Sequence, residues 1–302
     1  PGFYATMAAL SGHPALKAVS PQAPILDWFK GDDVHHNGAL MLMDIYSFST
    51  YMFKDHDNPV IEDHGLRSPI GSNAFEWFHG KTPLSLTHAL PDTLPFWNEI
   101  LQHPDYDEYW VERSIEQHLH DISPAILVVG GAYDTDDCYG ALNTYKLIRK
   151  NSPDTDLHFV YGPWSHGGWH DAAYGGLGSR KFGTDLSAYF MKNIEFPFFR
   201  FYLEGKGRRP EPVYAFASGS DQWQKTDVWP SADLDYKTIY LSSDRGLSFT
   251  ASQDQESFSS YISDPASPVP FMADASSRDN TYMVEDQSFA SERCDVLTYM
   301  GE

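Results

Sequence analysis

The sequence predicts an α/β protein with a helical insertion, followed by an all-β segment. Two observations predict the α/β part: residues 124–131 (PAILVVGG) are typical of a parallel strand buried on both faces, and strand and helix patterns alternate after them. A third observation predicts the all-β part, because short alternating segments separated by Ser, Asp, Gly and Pro follow Gly207. We therefore expect one domain at residues 1–207 and a β-sandwich at residues 208–302.

The α/β part has a strand–helix–strand order, which implies crossovers between parallel strands. Apolar runs mark its strands, and amphipathic patterns of good helix formers mark its helices. The predicted elements are a turn that runs into a helix within residues 1–10, helices at 141–150 and 185–203, and strands at 16–19, 124–131 and 157–161. Gly12 is expected to end the first helix.

Residues 32–121 interrupt this pattern with a different composition. The segment is rich in Trp, Phe, Tyr and His, and residues 96–101 and 110–118 have helical patterns. We interpret it as a mainly helical insertion.

Composition and charge exclude several classes of protein. The chain has 302 residues, a formal net charge of −21 and 41% hydrophobic residues. Such apolar content excludes a disordered chain, and the acidic charge argues against nucleic acid or an anionic membrane as a partner. No apolar run approaches the roughly 18 residues of a membrane span, and no secretory signal is visible. The two cysteines, Cys138 and Cys294, exclude a disulfide framework, and we expect two free thiols rather than one disulfide.

Polar residues follow two neighbouring strands of the predicted sheet, where ligands bind in open α/β folds. Asp134, Asp136 and Asp137 follow the strand at 124–131, and His166 follows the next strand. A carboxylate and then a histidine form the late part of the chain order Ser…Asp…His. Asp134 would hold the tautomer of His166, which would act as general base. The structural alternatives are that Asp137 caps the next helix and that His166 is an ordinary, partly buried side chain.

Two further groups of polar residues allow other interpretations. His166 and His170 have the spacing of a metal pair, but two glycines lie between them and no carboxylate is correctly phased, so we expect no metal. A second group combines Asp32–Asp33 with His35–His36. It is open whether that group is a metal site, a solvated loop or a substrate contact.

The chain resembles the α-amino acid ester hydrolases in three strings, PGFYATMAALSGHPALKAVSPQAPILDWFKGDD, VVGGAYDTDDCYGALNTYKLI and YGPWSHGGWH. These enzymes belong to a wider group of cocaine esterase-like and X-Pro dipeptidyl-peptidase-like serine hydrolases, also labelled glutaryl-7-aminocephalosporanic acid acylases. VYAFASGSDQWQKTDVWP and YISDPASPVPF resemble the jelly-roll domain of that group. The resemblance implies a partial α/β-hydrolase fold with a helical cap near residues 40–120, followed by an all-β jelly-roll domain.

The resemblance also implies roles for individual residues. The triad Asp and His of the family correspond to Asp134 and His166. The three carboxylates that bind the α-ammonium group of the substrate correspond to Asp33, Asp136 and Asp137, although the family would have Glu where this chain has Asp136. An ammonium group has three donors that several acidic oxygens can surround. No cofactor and no metal are implied.

The nucleophile of the family is expected to precede Pro1. Its elbow reads G-x-S-Y-x-G, and its Ser would lie two residues before Pro1, whereas G-x-S-x-G occurs nowhere in this chain. Ser11, Ser218 and Ser220 do not lie in a predicted strand-to-helix turn. Because the jelly roll of the family continues beyond the last residue here, we expect the chain to be a fragment truncated at both ends.

The expected function of the parent enzyme is cleavage or transfer of acyl groups from esters or amides with a free α-amino group, including substrates of the β-lactam type. Its expected partner is then a small-molecule substrate, and neither nucleic acid nor a membrane is expected as a partner. Whether the protein forms a homo-oligomer is left open. Family membership implies a periplasmic or secreted bacterial enzyme. One alternative is an X-Pro dipeptidyl-peptidase-like, cocaine esterase-like or glutaryl acylase hydrolase. A second is a carbohydrate-binding or adhesive protein, in which Trp223 and Trp229 would stack on sugars instead of packing in a core.

The 302-residue chain alone is predicted not to hydrolyse esters, because acyl transfer by this route needs a serine nucleophile that it lacks. The measurement is turnover of a phenylglycine ester by the purified chain, with the full-length protein as control. Turnover by the chain that a serine-directed inhibitor abolishes would contradict the prediction.

Overall fold

The computed structural model describes residues 1–52, 73–88, 94–171, 173–183, 185–251, 256–276 and 280–301. Its strands, in chain order, are β1 (Ala18–Val19), β2 (His35–His36), β3 (Ala39–Leu40), β4 (Ala125–Gly131), β5 (Leu157–Gly162), β6 (Gly176–Leu177), β7 (Arg180–Lys181), β8 (Val213–Ala217), β9 (Gln222–Thr226), β10 (Tyr240–Leu241) and β11 (Leu247–Ser248).

The helices lie before, between and after these strands. They are α1 (Gly2–Leu10), α2 (Leu42–Met52), α3 (Ala74–Phe78), α4 (Pro83–Thr87), α5 (Pro95–Gln102), α6 (Glu108–Arg113), α7 (Cys138–Asn151), α8 (Leu186–Phe190), α9 (Phe196–Glu204) and α10 (Ser288–Ser291). A π-helical turn, Met191–Glu195, joins α8 to α9, and short 3₁₀ turns form at Glu116–His118, Gly168–His170 and Asn280–Val284.

A mixed five-stranded sheet with the order β1-β4-β5-β8-β9 is the centre of the structure. β1, β4, β5 and β8 are parallel, and β9 pairs antiparallel with β8. Every residue of β4 is buried, as its uninterrupted apolar run predicts. The predicted parallel strands are therefore confirmed, although β1 is limited to Ala18–Val19.

The sheet continues past the boundary predicted near residue 208. β8 adds to the parallel strands beside β5, and β9 closes that edge of the sheet. The alternating pattern of Val213–Ala217 was interpreted as part of a separate β domain. The same pattern also fits a strand of the central sheet, because two residues of β8 are only partly buried there.

Little regular structure follows β9 in the part of the chain that is described. Between residues 227 and 301, outside the gaps at 252–255 and 277–279, it comprises the β10–β11 ladder, the 3₁₀ turn Asn280–Val284 and α10. The jelly roll predicted for residues 208–302 therefore stays a prediction.

The helices of the α/β part agree with the sequence in existence and differ in detail. α1 ends at Leu10, and Gly12 has a positive φ of 61°. The long helix predicted at 185–203 is interrupted by the π-helical turn. Pro197 explains this turn, because it lacks an N–H donor and its ring crowds the carbonyl of the preceding turn.

The insertion between β1 and β4 is mainly helical where it is described, with the short β2–β3 ladder before its first helix. α2 to α6 surround an aromatic cluster in which Tyr46 packs edge-on against Trp97 and Phe78. The helix predicted at 110–118 is shorter than expected, because α6 ends at Arg113 and Ile115 donates instead to the carbonyl of Leu26. Residues 53–72 and 89–93 of the predicted insertion lie outside the described residues.

Two apolar cores cover the two faces of the sheet. On one face, Leu127 and Val160 pack with Phe190 and Phe198 of the α8–α9 segment. On the other face, residues of α1 and α7 pack against Ile126. Because each face has its own helices, the carboxyl edge of the parallel strands is left for the loops that carry the candidate site.

Several expectations concern single residues. Cys138 and Cys294 are free thiols, as predicted. Trp223 stacks on Tyr189, with ring centroids 5.6 Å apart, and Trp229 packs on Tyr161 at 5.3 Å, which agrees with core packing. Across the described ranges, no helix has the length and apolarity that a membrane crossing requires.

Truncation of Leu127 to Ala is predicted to lower the free energy of unfolding by about 2–5 kcal/mol, because the side chain is fully buried in β4 and its removal leaves a cavity. Leu84→Ala is the matched control, since Leu84 is 69% exposed and its removal should change stability by no more than about 0.5 kcal/mol. Urea unfolding of the two variants measures the difference. Equal losses would contradict the position of β4 in the core.

Candidate active site

Two loops at the carboxyl edge of the sheet form the candidate site. The loop from β4 to α7 carries Asp134, and the loop after β5 carries His166. The β4–β5 register places Gly131 opposite Gly162, so the two loops leave the sheet side by side. Gly131 is needed there because a Cβ would lie 2.3 Å from the carbonyl oxygen of Trp164.

Asp134 and His166, predicted as a pair, are in contact. His166 Nδ1 lies 3.3 Å from Asp134 Oδ1 and 3.2 Å from Oδ2. Asp134 is buried, and its Oδ1 also accepts hydrogen bonds from the backbone N–H groups of Asp136 (3.0 Å) and Asp137 (3.2 Å). The hydrogen bond with Asp134 raises the pKa of His166 against the opposing effect of burial. The imidazole is 44% exposed, so the fixed carboxylate orients a ring that solvent can reach.

The backbone of the His166 loop is held by a buried tyrosine. Tyr174 Oη accepts a hydrogen bond from the N–H of Ser165 (3.1 Å) and donates one to the carbonyl of Pro163 (2.9 Å). Gly167 follows with a φ of 74°, a conformation that favours glycine. Tyr174 therefore anchors the backbone that leads into His166.

A second set of polar contacts supports the same loop and was not predicted. Trp169 lies edge-on to His166, with centroids 5.9 Å apart, and its Nε1 donates to Gln22 Oε1 at 2.9 Å. Gln22 Nε2 donates to Glu195 Oε1 at 2.6 Å, and His170 Nε2 lies 3.3 Å from the same carboxylate. His170, which the sequence analysis considered together with His166, therefore contacts Glu195. No sequence motif joins residues so far apart in the chain.

The three carboxylates implied for ammonium binding converge beside this pair. The N–H of Asp33 donates to the carbonyl oxygen of Asp136 at 3.2 Å, and Asp33 has a φ of 44°. Asp137 Oδ2 lies 3.3 Å from His166 Nδ1. Asp137 is the N-cap residue of α7, but its side chain makes no capping hydrogen bond, so capping does not explain its orientation.

Burial and mutual repulsion change the protonation of this group. Burial raises the pKa of Asp33 to about 7, and the nearby Asp136 and Asp134 add to that rise while His166 opposes it. Burial, followed by the charges of Asp33 and Asp134, raises the pKa of Asp137 well above its ordinary value. Carboxylates in such a position share protons or accept a cation.

Both carboxylate oxygens of Asp32 accept hydrogen bonds from the backbone. Its Oδ2 accepts hydrogen bonds from Leu26 (2.8 Å) and Asp27 (3.0 Å), and its Oδ1 accepts one from Gly140 (2.7 Å). Burial raises the pKa of Asp32 to about 8, against these backbone donors, which lower it. This buried carboxyl ties the loop that carries Asp33 to the first turn of α7.

His35 does not join Asp33 in a polar site. Its ring packs on Phe29 with centroids 4.5 Å apart and lies edge-on to Trp110 at 5.1 Å. Burial lowers the pKa of His35. The predicted group of Asp32–Asp33 with His35–His36 is therefore divided, with His35 in the helical insertion and Asp33 at the sheet edge.

One set of atoms has the spacing of a metal site. Asp134, Asp136 and His166 each offer a ligand atom within 4.8 Å of the others. Both oxygens of Asp134 already face Nδ1 of His166, which is the arrangement of an orienting carboxylate and its histidine. We therefore interpret these atoms as a hydrogen-bonded pair with an adjacent carboxylate.

The C-terminal part of the chain also reaches the site, which the sequence did not indicate. Thr135 Oγ1 lies 3.0 Å from Asp136 Oδ1 and 3.4 Å from Asn280 Oδ1. A Cβ at Gly178, between β6 and β7, would lie 3.2 Å from Val284, the last residue of the 3₁₀ turn Asn280–Val284. Part of the segment after β9 thus contacts the loop that carries Asp134 and Asp136.

The serines considered as substitute nucleophiles have other positions. Ser11 is the C-cap residue of α1, and its Oγ donates to the carbonyl of Ala8. Ser218 and Ser220 lie in the turn between β8 and β9. None of the three lies in a turn from a strand to a helix.

Replacement of Asp33 by Asn is predicted to stabilise the protein at about pH 8 and to have little effect at about pH 4. Because folding raises the pKa of Asp33 to about 7 from 3.8, the folded state holds a proton that the unfolded state loses, and stability falls as pH rises through this window. Asn removes that loss and tolerates the positive φ. Urea unfolding at both pH values tests this prediction. The control is Asp171→Asn, at an exposed position of the His166 loop, which should leave the pH dependence of stability as in wild type. An unchanged pH dependence in Asp33→Asn would refute the raised pKa of Asp33.

Comparison with known proteins places this geometry in a family. Residues 1–168 match the sequence model of the X-Pro dipeptidyl-peptidase (S15) family. The cocaine esterase of Rhodococcus sp. (strain MB1 Bresler) is 27% identical over 98% of this chain and 54% of its own length.

Two solved structures are similar over almost the whole chain. An aminopeptidase from a marine sediment archaeon, Thaumarchaeota archaeon, has a TM-score of 0.84 and 27% identity over 99% of this chain and 50% of its own. A selenomethionine-labelled α-amino acid ester hydrolase has a TM-score of 0.85 and 28% identity over 100% of this chain and 51% of its own. The chain thus spans about half the length of these relatives. On the family match and this shared α/β-hydrolase-like fold, the chain belongs to the X-Pro dipeptidyl-peptidase (S15) family, in the group that includes the cocaine esterase-like hydrolases.

Proposed function

We propose that this chain supplies the general base and its orienting acid to a serine hydrolase that acts on esters or amides with a free α-amino group. The observation that carries the proposal is the contact of His166 with buried Asp134 beside the carboxylates of Asp33 and Asp137. Neither half of this arrangement is sufficient alone, because a His–Asp pair serves many acyl transfers and acidic loops are common in acidic proteins.

In the proposed mechanism, His166 removes the proton from a serine hydroxyl and later returns it to the leaving group. Asp134 holds the ring with Nδ1–H toward its carboxylate and stabilises the imidazolium that forms. Its two backbone hydrogen bonds, from Asp136 and Asp137, keep the carboxylate in place during this charge change.

The nucleophile is proposed to lie in the full-length protein just before Pro1. In support, the first turn of α1 lies beside the carboxyl edge of the sheet, where a Cβ at Gly2 would lie 2.2 Å from the carbonyl oxygen of Gln22. Gln22 itself bridges to Val129 of β4 and contacts Trp169 of the His166 loop. A chain that enters α1 from a preceding strand would therefore arrive near His166.

Recognition of the substrate is proposed to use Asp33, Asp136 and Asp137. An α-ammonium group placed among them would form charge-assisted hydrogen bonds and relieve the repulsion that raises the pKa values of Asp33 and Asp137. The same negative charge disfavours an anionic glutaryl substrate. The names of two relatives, an aminopeptidase and an α-amino acid ester hydrolase, agree with a substrate that has a free amino group.

Two finer features extend the proposal. The acyl group would pass from the serine to water or to an amine such as a β-lactam nucleus, as the resemblance implies. The jelly roll would begin after Thr226 and not near residue 208, since β8 and β9 belong to the central sheet.

A cocaine esterase-like activity without ammonium recognition is the second candidate, because such a relative matches 98% of the chain.

The full-length protein is predicted to hydrolyse an α-amino ester with a higher kcat/KM than its des-amino analogue, because only the first carries the cation. Asp134→Asn should lower kcat for both esters by up to about 10⁴-fold, since the wrong tautomer of His166 is then favoured. Asp171→Asn is the control. Equal kcat/KM values for the two esters would exclude ammonium recognition, and full activity of Asp134→Asn would exclude the triad.

A further inference from the structure

Asp137 is the carboxylate of the proposed ammonium site that contacts the base directly. Its Oδ2 lies 3.3 Å from His166 Nδ1, the nitrogen that also lies 3.2 Å from Asp134 Oδ2. The hydrogen bonds of this nitrogen go to Asp134, so Asp137 contacts the ring without being its hydrogen-bond acceptor. Asp33, by contrast, forms no ion pair with the ring in the described part of the chain.

The other oxygen of Asp137 has an unused hydrogen-bonding position. The side chain is 4% exposed, and Oδ1 is buried without a hydrogen-bond partner among the described residues. A buried carboxylate oxygen in this state is unfavourable unless it holds a proton or meets a donor. The geometry therefore indicates a place for a proton in the free protein and for a cationic donor in the complex.

The surroundings of Asp137 are almost entirely acidic. Its own loop contributes Asp134 and Asp136, the loop after β1 contributes Asp32 and Asp33, and the β5 loop contributes His166. From the insertion, Asp44 of α2 adds negative charge at Asp33. Burial, and after it the charges of these carboxylates, raise the pKa of Asp137 well above its ordinary value, which favours the neutral acid in the free protein.

We infer that the ammonium group of the substrate, bound between Asp33 and Oδ1 of Asp137, displaces the proton of Asp137 and creates a second carboxylate against His166 Nδ1. One cation binds and one proton leaves to solvent, so the net charge of the site is unchanged. The new carboxylate stabilises the imidazolium that forms when Nε2 takes the serine proton. Because this contact strengthens in the transition state, the α-amino group increases kcat as well as affinity.

This inference rests on the proposed function and makes Asp137 a substrate-binding residue that also acts on His166, so its effect differs from that of Asp33. The experiment measures kcat and KM of the full-length protein from about pH 5 to pH 9, with an α-amino ester and its des-amino analogue, for wild type, Asp137→Asn and Asp33→Asn. Asp33→Asn should express its loss mainly in KM for the α-amino ester. Asp137→Asn should lower kcat for that ester about tenfold more than Asp33→Asn does.

The pH profiles supply a readout that a purely structural role would not change. In wild type, the acid-side midpoint of kcat should be higher for the α-amino ester, because ionised Asp137 favours protonated His166. Asp137→Asn should abolish this difference between the two esters, and Asp33→Asn should retain it.

The outcomes separate the two proposals. If both variants change KM equally, and their kcat values and acid-side midpoints are also the same, Asp137 serves substrate recognition only. That result would overturn the coupling and leave the proposed function in place. A proportional loss of kcat for both esters in Asp137→Asn would assign it a structural role, which also overturns the coupling. Identical acid-side midpoints of kcat for the two esters in wild type would also overturn the coupling, before any variant is measured. A wild-type enzyme that does not prefer the α-amino ester would overturn the proposed function together with the coupling.

Discussion

The candidate site depends on the parallel pairing of β4 with β5. Six residue pairs, from Ile126 with Leu157 to Gly131 with Gly162, align the carboxyl ends of the two strands. Asp134 and His166 therefore meet across 32 positions of sequence. The pairing is robust because β4 is buried along its whole length, and a slip of one residue would turn its apolar side chains toward the wrong core.

A second constraint is the cost of bringing several carboxylates together in a poorly solvated place. The hydrogen bond from the N–H of Gly140 to Asp32 holds the loop that carries Asp33 against α7, and the N–H groups of Leu26 and Asp27 fix the carboxylate within that loop. Gly140 permits that approach, because a Cβ there would lie 1.9 Å from the carbonyl oxygen of Pro24. The repulsion within the cluster opposes folding and is offset by the apolar cores on both faces of the sheet. Binding sites commonly retain such unfavourable charge because a ligand of opposite sign relieves it.

Much of the α/β part was predictable from local signals. Continuous segments contain the apolar run of β4 and the amphipathic pattern of α7. The order of Asp134 and His166 can likewise be recognised along the chain. The strings that resemble the ester hydrolases agree with the family match over residues 1–168. The position of β8 in the central sheet was not predictable, because alternating burial is shared by strands of sandwiches and strands near the edge of an α/β sheet. The contacts of Gln22 with Glu195 and of Thr135 with Asn280 join distant segments and have no local pattern.

The sequence by itself determined which segments are buried strands and helices and which acidic and histidine side chains follow them. These properties depend on periodicity and chain order, which can be read along the chain. The tertiary structure decided what each carboxylate does. Asp32 accepts hydrogen bonds from backbone donors, Asp134 faces the Nδ1 of His166, and Asp137 faces the same nitrogen with one oxygen that has no hydrogen-bond partner among the described residues. Three aspartates with the same side chain acquire different roles because burial, hydrogen-bond donors and neighbouring charges are set by segments that meet only in the folded protein.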